Sequence, residues 1–429
     1  MRLYMQSLRI TCVLFFFFSS VGGDEIFAGQ LSRALISAVQ NHPKVKVALA
    51  EINSAEFSVK QTRADFFPKF IVNGYGSVDD KESKAVAQID QVVFDFGKIN
   101  TRVKSQKINL EESQIKHLST CREVMQKVAF QYVALIGARK QLAFAQDNLE
   151  EHNLLVKFIT SRFEGDYAPK ADVQLAQVRA LDAESTLATV RGRVEQVLEK
   201  LRLITFDDKL GSLESLHSTN YLDEDCFSKN IHSLDTSELV RRAHENSVEV
   251  LAEKIAFDRM ENSLKASFRE FFPTFKGRFE YQMFSNVKEE TRAGLVMESD
   301  WAGMGLQKIA DVKRKKQQME VAVQRVEDVK VDVAEKLLDL IYQIKTQKEI
   351  QEYLKRSLDL IKDTQTSFLR QFDSGHKSWL EILNLQKEKF SLQQQLEGVR
   401  TQELQKILQI SILIGDLDSY AGVKHVRRS

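Results

Sequence analysis

The sequence predicts a mainly helical protein with a small β part, in which a long coiled-coil hairpin and a β-hairpin occur twice. Three observations lead to this prediction. The stretch from residue 311 to residue 374 contains neither glycine nor proline. Segments in which apolar and polar residues alternate follow a proline in each half of the chain. The hexapeptide at 65–70 (DFFPKF) is echoed at 270–275 (EFFPTF), which indicates an internal duplication.

Composition excludes several classes of protein. The 429 residues are 28% charged with a mean hydropathy of -0.30, which is too polar for a helical membrane protein. Lys and Arg (61) balance Asp and Glu (60), so no net field favours binding to nucleic acid. The eight histidines lack metal-ligand spacing, and neither a Walker phosphate loop nor a His-Glu-x-x-His motif occurs. The sequence therefore predicts no enzyme, no cofactor and no metal site.

The first 29 residues are predicted to be a secretory signal peptide. Arg2 and Arg9 precede the apolar run Ile10–Phe18, and small residues follow it. A membrane anchor is the alternative, but this run has about half the length that a spanning helix needs. Beyond it, the sequence has no further apolar run of about 18 residues, so membrane insertion would have to use strands.

The rest of the chain divides into two repeats. The predicted units are a first repeat at 30–205, a linker at 206–237, a second repeat at 238–415 and a C-terminal tail at 416–429. Proline disfavours helical geometry in the residue before it, so Pro68 and Pro273 are predicted to mark the transition from helix to strand. A β-hairpin then follows each proline, at 69–96 and at 275–301.

Alternation gives each predicted hairpin one apolar and one polar face. Phe279 and Met283 share the apolar face, while Arg278 and Glu280 share the polar face. A soluble sheet packed on a core would show the same pattern. The predicted strands approach the roughly 9–11 residues of a membrane-spanning strand. Their length therefore favours a barrel instead. Four strands cannot close a barrel, which needs about eight, so three chains supplying twelve strands are predicted.

The long helices are predicted at 98–164 and 311–374, and each is followed by a returning helix, at 170–203 and 378–414. Val333, Leu337, Leu340 and Ile344 step by four and three residues, which is typical of a heptad seam. A helix of about 60 residues would be roughly 90 Å long. Two long helical hairpins are therefore expected.

The order and duplication of these elements resemble the TolC outer-membrane efflux protein family. The resemblance includes the motif at 94–97 (FDFG), the turn at 162–165 (RFEG) with Asp172, and the turn at 372–375 (FDSG) followed by 379–384 (WLEILN). It implies a homotrimer with a 12-stranded β-barrel in the outer membrane, continued by an α-helical barrel across the periplasm. It also implies a periplasmic adaptor protein and an inner-membrane pump, either ABC-type or proton-driven, as partners.

The same resemblance assigns positions at the periplasmic mouth. Gly165 and Gly375 match the turns between the long helices at this mouth. Glu381 and Asn384 match positions where the family has a ring of acidic residues around the pore, although only Glu381 is acidic here.

The links that hold the family's closed state match Asp172, Phe372 and Lys377. The resemblance therefore implies an ion pair between Asp172 and Lys377. Phe372 lacks the hydroxyl group of a tyrosine, so one hydrogen bond of such a latch would be missing.

Two classes of function remain open at this point. The first is a passive export duct, either for polypeptides in a type I secretion system or for small toxic compounds in an efflux pump. The run at 375–381 (GHKSWLE) resembles the protein-secretion branch of the family, which implies polypeptide cargo. The second class is a periplasmic coiled-coil adaptor or scaffold, which would explain the heptads but not the strand hairpins.

Overall fold

The computed structural model describes residues 25–76, 84–207, 235–284, 289–300 and 302–423. Most of the predicted signal peptide, both turns within the predicted β-hairpins, Trp301, most of the predicted linker and the last six residues lie outside the described residues. Within them, the chain is mainly helical with one small antiparallel sheet, which confirms the predicted fold class.

Each repeat contains two short helices or helical segments, a pair of strands and two long helices. The elements of the first repeat are α1 (Glu25–Asn41), α2 (Pro43–Arg63), β1 (Lys69–Tyr75), β2 (Lys84–Phe94), α3 (Lys98–Glu164) and α4 (Lys170–Thr205). Those of the second are α5 (Thr236–Asn246), α6 (Val248–Arg269), β3 (Thr274–Phe284), β4 (Glu289–Glu298), α7 (Leu306–Asp373), α8 (Trp379–Leu413) and α9 (Asp416–Tyr420).

The duplication extends to the backbone conformation. Left-handed residues occur at equivalent places in the two repeats: before the long helix, in the turn after it, and after the returning helix. The pairs are Phe96 and Met304, Gly97 and Gly305, Asp166 and Gly375, and Phe206 and Gly415. Both residues are glycine in only one of these pairs. The two repeats are therefore more alike in backbone conformation than in the positions of their glycines.

The four strands form one antiparallel sheet in the order β1-β2-β3-β4. Because β2 pairs with β3, the hairpins of the two repeats lie side by side. The register places Asp90 opposite Arg278 and Ile89 opposite Phe279. β1 and β4 are left as the two edges of the sheet.

The long helices pack through apolar seams. The predicted heptad residues Val333, Leu337, Leu340 and Ile344 are all buried, in a cluster that includes residues of α5 and α8. The 68 residues of α7 correspond to about 100 Å of helix. In the described part of the chain, none of the helices has the length and apolarity needed to cross a membrane.

A buried ion pair joins the two repeats near the middle of α3. Arg122 binds Asp418 with two of its nitrogens, at 2.7 Å from Nη2 and 3.1 Å from Nε, and donates a further hydrogen bond to the Asn246 carbonyl. Asp418 is fully buried, and Leu417 beside it is buried too. Within the predicted C-terminal tail, α9 is therefore packed as part of the core.

We expect Asp418→Ala to lower the free energy of unfolding by about 3–5 kcal/mol, because it leaves the buried Arg122 without its counterion. Asp65→Ala breaks the exposed pair with Arg102 and is the matched control, with an expected loss below about 1 kcal/mol. Denaturant unfolding of the purified chain measures both values. Equal losses in the two variants would contradict the assignment of Arg122 and Asp418 as a structural junction.

Candidate functional site

The sheet exposes its apolar face and shelters its polar face. Phe70 and Val72 on β1 are 73% and 79% exposed, and Leu295 on β4 is 69% exposed. On the opposite face, Gln282 is only 5% exposed. This is the reverse of a soluble sheet, in which the apolar face packs on the core.

The sheltered face carries paired charges. Arg278 on β3 donates to both carboxylate oxygens of Asp90 on β2, at 2.8 and 2.9 Å. Lys276 forms an ion pair with Glu298 on the neighbouring strand. A cavity of 630 Å³ opens where this face meets the ends of α2 and α3. The polar face thus borders an open cavity that continues from the strands to the helices.

Pro68 and Pro273 lie between the short helices and the strands. The residue before Pro68, Phe67, is extended (φ -94°, ψ 161°), and β1 begins one residue after the proline. In the second repeat α6 ends at Arg269, and β3 begins directly after Pro273. Both prolines therefore occupy the same position, where the backbone changes from helical to extended geometry.

Two tight turns close the helical hairpins at the end far from the sheet. In the second turn, Gly375 has the left-handed conformation (φ +78°) that favours glycine. In the first turn this conformation belongs to Asp166 (φ +61°), while Gly165 has an ordinary φ of -90°. A side chain at Gly165 would instead approach the Tyr167 ring to 3.0 Å. The two predicted glycines therefore differ in their structural roles.

The predicted ion pair between Asp172 and Lys377 does not form within the chain. Lys377 binds Glu381 at 2.7 Å, and its ammonium lies 4.2 Å from the centre of the Phe368 ring. Asp172 lies in the first turn of α4, the position equivalent to Glu381 in α8. Lys377 instead pairs with the acidic residue four positions along its own chain.

Another ion pair connects the hairpins at their tips. Arg162 binds Asp373 at 2.8 Å, and its guanidinium lies 5.0 Å from the centre of the Phe372 ring. Phe372 also contacts Trp379, which is buried in a small apolar cluster shared by both hairpins. Phe372 therefore contributes packing and a cation–π contact at the position where a tyrosine would offer a hydroxyl.

Glu381 caps the first turn of α8. Its carboxylate accepts a hydrogen bond from the Ser378 backbone N–H at 2.9 Å, while the Ser378 hydroxyl accepts one from the Glu381 backbone N–H. The Lys377 ammonium, together with these Ser378 groups, lowers the pKa of the Glu381 carboxyl from 4.5 to about 2. Glu381 is therefore ionised at neutral pH. Asn384, one turn further along α8, is exposed.

A buried polar layer also joins the two hairpins, about 20 Å from the tips by helix length. Lys389 on α8 binds both carboxylate oxygens of Glu151 on α3, at 2.6 and 2.8 Å. Gln386 donates to Asn148 at 3.0 Å and accepts from Gln365 on α7 at 2.7 Å. Because Gln386 is 1% exposed, these hydrogen bonds replace those that water would otherwise make.

We expect the first turn of α8 to lose protection from hydrogen exchange as the pH falls from 5 towards 2. The folded-state pKa of Glu381 is depressed, so its stabilisation is complete above 4.5 and lost as the pH falls through about 2. Glu381→Gln should show low protection already at pH 5 and little change with pH. Glu388→Gln, on the exposed face of the same helix, is the control and should follow the unmodified chain; a Glu381→Gln profile that does so too would refute this role.

Comparison with known proteins agrees with this architecture. Residues 34–205 match the family model described as outer membrane efflux protein. No curated protein sequence is detectably similar to the chain. This description is of a transport protein, which agrees with the prediction that the chain is not an enzyme.

Solved outer membrane proteins have the same fold. The outer membrane protein VceC from Vibrio cholerae is 14% identical with a TM-score of 0.73, over 90% of this chain and 96% of that one. The outer membrane channel CmeC from Campylobacter jejuni is 12% identical with a TM-score of 0.72, over 95% and 88%. The MtrE outer membrane channel from Neisseria gonorrhoeae, in its open state, is 12% identical with a TM-score of 0.71, over 96% and 95%. Over residues 34–205 the chain is thus similar to the outer membrane efflux protein family, and its fold is that of these solved outer membrane proteins.

Proposed function

We propose that the chain is one protomer of a homotrimeric duct that passively conducts cargo through the outer membrane. The exposure of the apolar face of the sheet carries this proposal. Phe70, Val72 and Leu295 would be costly to leave in water, whereas lipid would cover them without any penalty. The ion-paired opposite face suits a water-filled lumen, which the long helices would extend across the periplasm.

The sheet requires other copies to become a barrel. Its edges β1 and β4 have unpaired backbone groups, and in lipid each such group costs several kcal/mol. If β4 of each chain pairs head-to-tail with β1 of the next chain, a threefold rotation closes the ring of chains. Twelve strands would then surround a lumen, with no strand edge exposed to lipid.

The tips would form the periplasmic mouth of the duct. Three copies of Glu381, ionised at neutral pH, would attract cations there, while Asn384 would leave the next position uncharged. Gating would involve Phe372, Lys377 and Asp172 at these tips. Within each protomer, the pair of Arg162 with Asp373 would hold the two hairpins together. Energy would come from an inner-membrane pump, either ABC-type or proton-driven, connected through a periplasmic adaptor.

For the cargo, we propose polypeptides in type I secretion, on the basis of the turn at 375–381. Small toxic compounds are the alternative, which the description of the matching family as efflux proteins favours. A pump that handles either cargo would use the same passive duct.

We expect the mature protein, extracted from outer membranes with detergent, to contain three chains per particle after subtraction of bound detergent. Val72→Lys should sharply reduce the yield of trimer, because a lysine on the lipid face costs about 2–4 kcal/mol near the middle of the bilayer. Asn73→Lys, one residue away on the polar face, is the matched control and should assemble normally. A monomer or dimer that stays soluble without detergent would instead support the periplasmic scaffold.

Deletion of the gene should separate the two cargo classes. Loss of one exported protein from the culture medium, with unchanged drug sensitivity, is the result expected for type I secretion. Broad hypersensitivity to toxic compounds with an unchanged set of secreted proteins would overturn that proposal in favour of small-molecule efflux. Complementation with the Asn73→Lys variant controls for indirect effects of the deletion.

A further inference from the structure

Charged side chains on the polar face of the sheet occur in pairs of opposite sign. Arg278 on β3 donates to both carboxylate oxygens of Asp90 on β2, at 2.8 and 2.9 Å, and its guanidinium lies 4.0 Å from the carboxylate of Glu298 on β4. Lys276 forms an ion pair with Glu298 as well. The positive charge of Arg278 is therefore flanked by a carboxylate on each neighbouring strand.

The pairing of charges continues along the same face. The strand register places Glu280 directly opposite Arg292, which also binds Glu290 at 3.0 Å. On the other side of the pair, Lys69 on β1 lies directly opposite Asp90. The basic side chains of this face are Lys69, Lys84, Lys276, Arg278 and Arg292, and the acidic ones are Asp90, Glu280, Glu290 and Glu298. The face is thus strongly polar, yet its charges nearly cancel.

We propose that Asp90 and Arg278 determine the charge preference of the barrel: their charges cancel, so that the lumen passes cargo of either sign. This inference rests on the proposed function, because it requires the polar face to line a water-filled lumen. Threefold symmetry then places three copies of the pair in one ring at the same depth. The strands, and not only the helix tips, therefore contain residues that determine specificity.

The geometry of the pair makes the cancellation local. The bidentate contact holds the two opposite charges side by side, so a passing solute meets a dipole, whose field falls off faster than that of a single charge. Both side chains are half-buried, and Asp90 also lines the cavity of 630 Å³. A solute in this cavity is close enough to respond to either charge alone. Loss of one partner therefore leaves a ring of three like charges.

A purely structural role for the pair is the competing explanation, because the contact also joins strands of the two repeats. A structural role predicts that loss of either partner has the same effect. The charge role predicts opposite effects for Asp90→Asn and Arg278→Gln, since one leaves a positive and the other a negative charge. It also predicts that the double variant, which removes both charges, behaves like the unmodified chain.

A thiol introduced at Gly294 reports the electrostatic potential next to the pair. Gly294 on β4 lies directly opposite Arg278, and a Cβ atom at this position would meet no neighbouring group within 4 Å. Gly294→Cys therefore places a thiol on the polar face without a clash. Ala293→Cys, one residue away on the apolar face, is the matched control.

The test uses the full trimer, reconstituted into phosphatidylcholine liposomes at neutral pH. The background variant carries Cys226→Ser, while Cys121 is buried and Cys12 belongs to the predicted signal peptide. A cationic and an anionic methanethiosulfonate of similar size react with the introduced thiol, and each rate is divided by the rate of the same reagent with free mercaptoethanol. Because both reagents attack the same thiolate, the ratio of the two rates reports the local potential and not the pKa of the thiol.

We expect the ratio of cationic to anionic rates to be about 1 for Gly294→Cys alone, because the neighbouring charges cancel. Arg278→Gln should raise this ratio about tenfold, and Asp90→Asn should lower it about tenfold. A unit charge about 5 Å away in water changes each rate about threefold, in opposite directions for the two reagents. The double variant should return the ratio to about 1.

Unchanged ratios in both single variants, or shifts in the same direction, would overturn the proposal. The control thiol tests the barrel separately, because lipid should protect Ala293→Cys from both charged reagents. If Ala293→Cys reacts as fast as Gly294→Cys, or if Gly294→Cys is itself unreactive, the proposed function fails. A reactive Gly294→Cys beside a protected Ala293→Cys supports the barrel, whatever the two charge variants show.

Discussion

The buried pair of Arg122 and Asp418 is the contact on which the arrangement of the two repeats depends. It joins α3 of the first repeat to α9 at the end of the second, and the Asn246 carbonyl brings in the end of α5. Two long hairpins extend from this region, so a small rotation here would move their tips by many ångströms. Buried ion pairs are weak sources of stability, because desolvation offsets their attraction. The value of this one lies in fixing a single geometry.

The two ends of the molecule meet their surroundings in opposite ways. At the sheet, apolar side chains point outward and charges such as Asp90 and Arg278 face the sheltered side. At the tips, an apolar cluster around Trp379 is internal, and the charges of Glu381 and Lys377 are on the outside. The backbone passes from helix to sheet at Pro68 and Pro273, so these prolines separate the two arrangements. The proposed duct requires this difference, because its sheet would contact lipid and its tips would contact water.

Sequence reasoning found the elements that depend on local pattern. The period-two strands, the heptad seam and the duplication all follow from residues close together in the chain, and the structure agrees. The Ser378–Glu381 capping box and the Lys377–Glu381 pair also had a local signal, which alignment with the family obscured. Arg122 and Asp418 are 296 residues apart, and spacing alone cannot bring them together. Gly165 lies in the first turn, but the left-handed conformation there belongs to Asp166, because Asp tolerates it locally.

The buried layer of Glu151, Lys389, Gln386 and Asn148 limits how the hairpins can move against each other. Apolar seams such as Val333–Ile344 repeat along a helix, so they would tolerate a shift by one turn. A shift of one turn, about 5.4 Å, would separate Lys389 from Glu151 and leave the buried Lys389 ammonium without its counterion. Sliding along the helix axis is therefore far costlier than twisting or bending. The layer therefore fixes the axial register of the two hairpins. They can bend or rotate relative to each other, but they cannot slide along the helix axis.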